Sequence, residues 1–449
     1  MMFLARRTVP GRIKAISSVT VAALGLLFAT LAYGTAAARE GLRVIGHDAG
    51  PQVVATAGLY LGLSDMDAQV ATALLLGDRR QDALARYEKR RAEVGSALLQ
   101  AHTLAGSDAA ERRTISSVLE GLGRYERLAS EALLLSALPA AGSPGPASPS
   151  GGAVPVSTTP VTIAPDDRAL ASYRQATDLM TRELLPQAYN LTLESGTIVR
   201  HAYEEGHSTV VAVRLVALLC GALALGCLIW LQIYLARSFR RVFGLALLGA
   251  TVATAACGIA GAVIMEREAA SLATAKRDGF DSVLTLARAR AISNSLHADQ
   301  SRYLLDRVRA DTYQHTFFDK SQSLVYLPAK NLSDYQRAVA SLKSDRFLGM
   351  LEGRDVAAAW RRFQEADRSL RAESGASATS ALTGPVRSAF DAYDATLVRL
   401  AEQHQAAFAR AIAAGEGGLS GLWTLIPAGL VVITGGVLAG VWPRLKEYR

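Results

Sequence analysis

Four long apolar runs interrupt the polar pattern of this chain, at residues 15–38, 214–236, 242–265 and 417–443. Arg214, at the edge of the second run, is the one charged residue within them. Each run is as long as the roughly 20 residues that an α-helix needs to cross a hydrocarbon core of about 30 Å. The sequence therefore predicts four transmembrane helices.

The two long segments between the runs, 39–213 and 266–416, carry apolar residues at helical spacing. In the first segment this period continues through four amphipathic stretches, which break near Gly77, near Gly106 and at a tract rich in Pro, Ser and Gly. Such a pattern is typical of a four-helix bundle. The tract, residues 139–165, has a composition that cannot bury a core, so we predict a disordered insert.

The second outer segment repeats the arrangement. Its last helix is the clearest, because apolar positions from Val386 to Ala411 recur at steps of three and four. The predicted fold class is thus all-α: a polytopic membrane protein with four transmembrane helices and two extracytoplasmic helical-bundle domains in tandem.

Basic residues mark the remaining short segments, namely the tail 1–14, the loop 237–241 and the tail 444–449. The three clusters consist of Arg6, Arg7, Arg12 and Lys14; of Arg237, Arg240 and Arg241; and of Arg444 and Lys446. Lys and Arg near a span favour the cytoplasmic side. We therefore predict a multi-pass protein of the cytoplasmic membrane with both termini inside and both long segments outside. Cleavage of the first run as a signal peptide, at Ala36 to Ala38, is the alternative and would leave three spans.

Composition agrees with a membrane protein, because half of the residues are hydrophobic and the mean hydropathy is +0.19. The cytoplasmic segments are too short to fold a kinase or a nucleic-acid-binding domain. The spans hold no Asp, Glu, Lys or Arg in their interiors, which disfavours transport. The sequence contains no phosphate loop, no serine elbow and no metal-ligand spacing. We predict a protein that is not an enzyme, binds no cofactor and no nucleic acid, and contacts the lipid bilayer.

Two clusters in the second outer segment are candidate contacts for a partner or a ligand. The first helix carries Arg288, Arg290 and Arg302, and arginines of this kind can bind carboxylates, although a solvated helix face is the simpler interpretation. The stretch 312–328 is the most aromatic of the chain and is predicted to be non-helical, either docking a partner or packing over the bundle. Its aromatic residues include Tyr313, Phe317, Phe318 and Tyr326.

We expect three further side chains, those of Asp65, Asp67 and His404, to have structural and not catalytic roles. Asp65 and Asp67 lie two residues apart, so on a helix they project about 200° apart and do not converge as an acid and base pair would. We expect both on a solvated helix surface. His404 falls on the apolar stripe of the last outer helix, where we expect a hydrogen-bonded core histidine.

Several short motifs carry a family resemblance. They are His47-Asp48-Ala49-Gly50-Pro51, Leu59-Tyr60, Asp65-Met66-Asp67-Ala68-Gln69, Ala287-Arg288-Ala289-Arg290 and the run from Ala298 through Arg302 to Asp306. In these motifs, and in its four spans and two outer regions, the chain resembles GlnX of actinobacteria. The resemblance implies a relay in which a solute-binding lipoprotein senses an amino acid outside and a soluble serine/threonine kinase is stimulated inside.

Three hypotheses for function follow. The leading one is a non-enzymatic transmembrane signalling adaptor that relays an extracytoplasmic amino-acid or nutrient signal. The second is a direct, chemoreceptor-like sensor whose outer bundles bind a small ligand between helices. The third is an envelope scaffold, motivated by the Pro-rich tract. The pattern leaves open whether bundles pair within one chain or between the chains of a homo-oligomer.

Overall fold

The computed structural model describes residues 9–105, 109–138, 167–239, 244–342, 346–347, 351–352 and 354–446. Over these residues the predicted all-α fold class is confirmed. Four helices are long and apolar enough to cross a membrane, namely Gly11–Leu76, Asp167–Arg237, Leu245–Leu305 and Gly375–Pro443. Each contains one predicted span, the third from residue 245 onwards.

Short π-helical or 3-10 turns divide these long helices into shorter elements. The helices are α1 (Val9–Arg43), α2 (Ala49–Leu76), α3 (Gln81–Leu104), α4 (Ala109–Leu135), α5 (Asp167–Leu179), α6 (Leu185–Phe239), α7 (Leu245–Thr274), α8 (Ser282–Leu305), α9 (Ala310–Leu324), α10 (Leu332–Ala340), α11 (Arg354–Ala372), α12 (Gly375–Ala381) and α13 (Arg387–Lys446). Two antiparallel strands of two residues each, β1 (Arg346–Phe347) and β2 (Leu351–Glu352), lie between α10 and α11. Gly77 ends α2 at a positive φ of 54°, a conformation that favours glycine.

Several predictions concern residues outside this description. They are the disordered insert 139–165 and the basic residues Arg6, Arg7, Arg240 and Arg241. Of the other basic residues, Arg12 and Lys14 lie in α1, Arg237 is exposed near the end of α6, and Arg444 and Lys446 belong to the last turn of α13. Their role in setting the orientation stays a prediction.

The described helices form two compact units. The first, called the span unit, contains residues up to Gly50, Ile198–Phe280 and the chain from Ala406 onwards. Its interior is apolar and includes Leu24, Phe28 and Leu231. Large apolar side chains also point outwards from the span unit, for example Leu219 and Val431. Apolar residues on both the inside and the outside are typical of helices in a lipid bilayer.

Small residues and amides bring the helices of the span unit close together. A Cβ atom added at Gly440 of α13 would lie 2.6 Å from Cγ of Leu247 in α7, which is closer than packing allows. The Nε2 amide of Gln232 donates to the carbonyl oxygen of Leu247 at 2.9 Å and to Oγ1 of Thr251 at 2.7 Å. Both features are common where helices associate inside a membrane.

The second compact unit, called the bundle unit, contains Pro51–Thr197 and Asp281–Gln405. Its first half comprises the described residues of Pro51–Thr197. These form the four helical stretches predicted for the first outer segment, namely α2, α3, α4, and α5 followed by the start of α6, and α2 ends at the predicted break beside Gly77. Buried residues that include Leu63, Tyr125, Tyr173 and Met180 make up its core.

The second half of the bundle unit comprises the described residues of Asp281–Gln405 and has its own aromatic core. Trp360 packs against Tyr393 and Phe363, with ring centroids 5.2 and 5.8 Å apart. Phe317 of α9 is fully buried beside Phe363. Our prediction of a non-helical stretch at 312–328 was wrong, because α9 occupies most of it. Its buried positions Tyr313, Phe317, Ser321 and Leu324 recur at helical spacing.

The two segments that we assigned to separate bundles in tandem are halves of one compact unit in the structure. Each half keeps its own apolar core, as a separate bundle would. The halves are joined by a few apolar contacts, such as Leu305 in the core of the first half, and by a set of polar and charged side chains, which hydrophobic periodicity does not reveal.

Candidate functional site

Arg302 of α8 lies at the centre of the contact between the two halves of the bundle unit. Its Nη2 donates to the carboxylate of Asp67 in α2, and its Nη1 donates to the carboxylate of Asp299, one helical turn earlier in α8. Its Nε donates to the hydroxyl of Tyr173 in α5 at 3.2 Å. The arginine of the second half thus bridges two helices of the first.

The acidic groups around Arg302 are themselves fully engaged. Asp67 also accepts hydrogen bonds from the hydroxyl of Tyr125 at 3.1 Å and from that of Thr177 at 2.8 Å. The other oxygen of Asp299 accepts from Nζ of Lys320 in α9 at 2.5 Å. We call these seven residues the polar seam: Asp67, Tyr125, Tyr173, Thr177, Asp299, Arg302 and Lys320. It holds two carboxylates and two cations, so its net charge is zero.

Burial makes these interactions strong. Asp67, Asp299 and Arg302 are 0%, 1% and 3% exposed. Burial alone would lower the pKa of Arg302, but Asp67, Tyr173 and Asp299 together outweigh this and the pKa is raised well above its usual value. Burial, together with the charge of Asp67, raises the pKa of Tyr125 well above the usual value. The arginine is therefore always charged, and the tyrosine hydroxyl always a donor, at any physiological pH.

Further polar contacts flank the polar seam and also join the two halves. Arg174 of α5 forms a two-pronged ion pair with Asp306, at 2.7 Å from Nε and 2.5 Å from Nη2. Asp306 is fully buried, and although burial raises the pKa of its carboxyl group, the hydrogen bonds and charges of Arg174 and Arg309 together more than offset this and lower it. The hydroxyls of Thr72 in α2 and Ser301 in α8 lie 3.1 Å apart. The halves are thus held together along α8 by directional bonds.

The burial of these charges determines how the contact between the two halves can break. Losing one partner leaves an uncompensated charge in the interior, so partly broken states are unfavourable. The two halves can separate only when every buried donor and acceptor of the interface finds a new partner or water. Such an interface favours two discrete arrangements over a continuum. Among the described residues no cluster of His, Cys, Asp and Glu could hold a metal ion.

A second buried network lies within the second half, next to the polar seam in sequence. His297 of α8 stacks on Phe390, with ring centroids 4.4 Å apart, and its Nδ1 lies 2.8 Å from Oε1 of Gln300. The amide of Gln300 donates to Asp367 at 2.8 Å. Burial lowers the pKa of His297 to about 4, so this imidazole is neutral near pH 7.

The three candidate arginines have different environments. Arg302 is buried in the polar seam. Arg290 forms a two-pronged ion pair with Asp394 within the second half, at 2.8 and 2.9 Å. Arg288 is exposed, and its guanidinium carbon lies 5.3 Å from the centroid of the Tyr189 ring. Only Arg288 thus has its charge turned towards open space.

The candidate aromatic residues also differ in how deeply they are buried. Tyr313 and Phe317 are buried, and Phe318 is half-buried with its ring edge towards Tyr335 at 6.1 Å. These three pack within the second half. Tyr326 follows α9 and is 80% exposed. Of the predicted docking residues in this stretch, Tyr326 alone presents its ring fully to the surface.

The expectation of solvated carboxylates at Asp65 and Asp67 was wrong. Asp65 is 7% exposed and pairs with Arg90 of α3 at 2.5 Å, whereas Asp67 enters the polar seam. The two do point in different directions, as their spacing requires. A signal for burial was present, since they are the only charged residues in α2, a helix that is otherwise apolar. A lone acidic group in such a helix indicates a buried basic partner.

Comparison with known proteins gives a match to a protein family. A family model described as an actinobacterial sensor domain matches residues 41–204, which is 164 of the 449 residues. Asp67, Tyr125, Tyr173 and Thr177, the first-half members of the polar seam, all fall within the matched range. No curated protein and no solved structure matches the chain. The similarity supports a sensing role for the matched part of the chain.

Proposed function

We propose that this chain is a non-enzymatic transmembrane signalling adaptor, in which the bundle unit receives a signal and changes the arrangement of its two halves. The observation that carries the proposal is the polar seam, a buried and charge-neutral interface between two halves that each have an apolar core. Similarity to a sensor domain over residues 41–204 supports the same role.

The long helices provide a route from the bundle unit into the membrane. Both α6 and α13 supply residues to the bundle unit and to the span unit. A helix that is continuous through both can pass on a rotation or a shift along its axis. In this proposal, a change at the polar seam alters how α2, α5 and α8 pack, and the change is carried along the helices that continue into the spans.

The orientation and the partners belong to the proposal as well. The basic clusters support cytoplasmic termini and an extracytoplasmic bundle unit in the cell membrane. A solute-binding protein that reports an amino acid or another nutrient would dock on the bundle unit. A cytoplasmic serine/threonine kinase would bind the loop at 237–241 and supply the catalytic domain, since this loop is too short to fold one itself.

Site-specific photocrosslinking in the producing cells tests this relay. The three native cysteines, Cys220, Cys227 and Cys257, are replaced by alanine, and a photoreactive maleimide is attached at Tyr326→Cys or at Ser238→Cys in the loop. We expect a solute-binding protein crosslinked to the first position and a serine/threonine kinase crosslinked to the second.

A matched control uses Val431→Cys, an exposed apolar position in the fourth span. It should give adducts to lipid and to neither protein. If the two test positions capture only further copies of this chain, the relay is refuted, and a self-contained oligomeric sensor replaces it.

A further inference from the structure

A cavity of about 300 Å³ lies between the two halves of the bundle unit. Its walls come from α2 and α6 of the first half and from α8 and α9 of the second half. This volume is at the lower end of the range of about 300 to 1,000 Å³ that is typical of small-molecule sites. A ligand of modest size would therefore fill it while touching both halves.

The charge of the cavity comes from Arg288. In the part of the chain that the structure describes, no carboxylate forms an ion pair with this guanidinium, whereas Arg290 and Arg302 of the same helix are held by Asp394 and by Asp67. An arginine that keeps its charge at the mouth of a cavity is suited to bind a carboxylate through two parallel hydrogen bonds. It also repels cations.

The body of the cavity is apolar and aromatic. The rings of Tyr60 and Tyr189 are 5.9 Å apart at their centroids, with planes tilted by 50°. Leu193 and Leu284 line the same space. Both tyrosines are half-buried, and each carries a hydroxyl group that can donate a hydrogen bond. Such a surface accepts an apolar group, with a few hydroxyls to fix its orientation.

We propose that this cavity binds a small organic monocarboxylate with an apolar body. Arg288 holds the carboxylate, and the rings of Tyr60 and Tyr189 cover the apolar part. The cavity offers a single arginine, so a second negative charge on the ligand would have no cationic partner inside it. The site goes beyond the relay proposed above, because it gives this chain a ligand of its own.

Binding at this place would act on the contact between the halves. The ligand touches residues of both halves, so it binds their joined arrangement more tightly than a separated one. Preferential binding shifts the equilibrium by mass action towards the arrangement that is bound. The carboxylate would thus stabilise the joined state in which the polar seam is complete.

Equilibrium dialysis of the full chain in lipid nanodiscs tests the site with two radiolabelled probes. Benzoate carries the carboxylate and an apolar ring, and benzamide has nearly the same shape without the charge. We expect benzoate to bind roughly ten- to a hundredfold more tightly than benzamide, as charged hydrogen bonds do relative to neutral ones.

Arg288→Gln should abolish this preference, so that both probes bind with the same weak affinity. The matched control is Arg307→Gln, an exposed arginine outside the cavity, which should keep the wild-type preference. A general loss of structure would weaken both probes alike and is thereby distinguished. The proposal is overturned if wild type shows no saturable binding of benzoate, or if Arg288→Gln still prefers benzoate. The assay needs no partner protein, so its failure would leave the relay standing.

Discussion

Replacing Arg302 by methionine removes the guanidinium at the centre of the polar seam while keeping a side chain of similar length. Asp67 and Asp299 then share one remaining cation, Lys320, and the seam carries a net charge of −1. Removing one partner of a buried ion pair costs about 3–5 kcal/mol, because the other charge stays buried without compensation. We expect a loss of this size in the free energy that separates the joined and opened arrangements of the halves.

Native-state hydrogen exchange of the full chain in nanodiscs measures this free energy locally. Amides of α2 around Asp67 and of α8 around Arg302 exchange when the halves open. A loss of about 3–5 kcal/mol corresponds to exchange that is roughly a hundred- to several-thousandfold faster. Exchange in the aromatic core around Trp360 should change much less, since that core lies within one half.

Two controls make the experiment decisive. Arg307→Met removes an exposed arginine that follows the same helix, and it should leave exchange within about 0.5 kcal/mol of wild type. Combining Asp67→Asn with Arg302→Met should cost less than the sum of the two single changes, because they interrupt the same interaction. The argument is refuted if Arg302→Met speeds exchange in α2 and α8 by less than about tenfold, or no more than Arg307→Met does.

Three further predictions address pH, packing and topology. Because the pKa of His297 is lowered from 6.5 to about 4 in the folded chain, the unfolded chain binds more protons between these values, so the bundle unit loses about 3 kcal/mol of stability as the pH falls through this range. His297→Asn should flatten that slope in an acid titration followed by near-UV circular dichroism, and an unchanged slope would count against the assignment. Gly440→Ala forces a Cβ against Leu247 and should lower the thermal midpoint in detergent, by a destabilisation of about 1–3 kcal/mol, whereas Gly435→Ala, with open space around it, should not. A membrane-impermeant maleimide should label Tyr326→Cys in intact cells, and labelling only after permeabilisation would reverse the predicted topology.

The local sequence pattern was sufficient to predict most of the helices and the four candidate spans. Helical periodicity depends on neighbours three and four residues apart, and the spans are continuous runs, so both can be read along the chain. The break at Gly77 follows from the backbone conformation that glycine favours. The helices and the presence of four candidate spans were predicted because each depends on residues that are close in sequence.

At α9, the amino-acid composition led to a wrong prediction of secondary structure. Its aromatic content suggested an irregular docking loop, yet Tyr313, Phe317 and Leu324 have the spacing of one buried helical face. Phe317 packs on Phe363 of the second half, which lies 46 residues later. The periodic signal was present and was outweighed by the residue type.

The polar seam could not have been assembled from sequence. Arg302 and Asp67 are 235 positions apart, and a charge on an amphipathic helix is most often solvated. Arg302 was identified as a candidate contact for an acidic group, but the acidic group proved to be part of the same chain. Pairing of this kind depends on how two helical segments meet, and no periodicity within either segment specifies it.

The position of the polar seam along the chain has a consequence for biosynthesis. Asp67 is translated long before Arg302, and two candidate spans, in α6 and α7, lie between them in the sequence. Until α8 has been synthesised and lies on the same side of the bilayer as the first half, the Asp67 carboxylate has no arginine partner. In the proposed topology, insertion of α6 and α7 into the membrane is therefore a prerequisite for completing the bundle unit. Variants that slow this insertion should reduce the amount of protein in the membrane, even when the mature fold is unaffected.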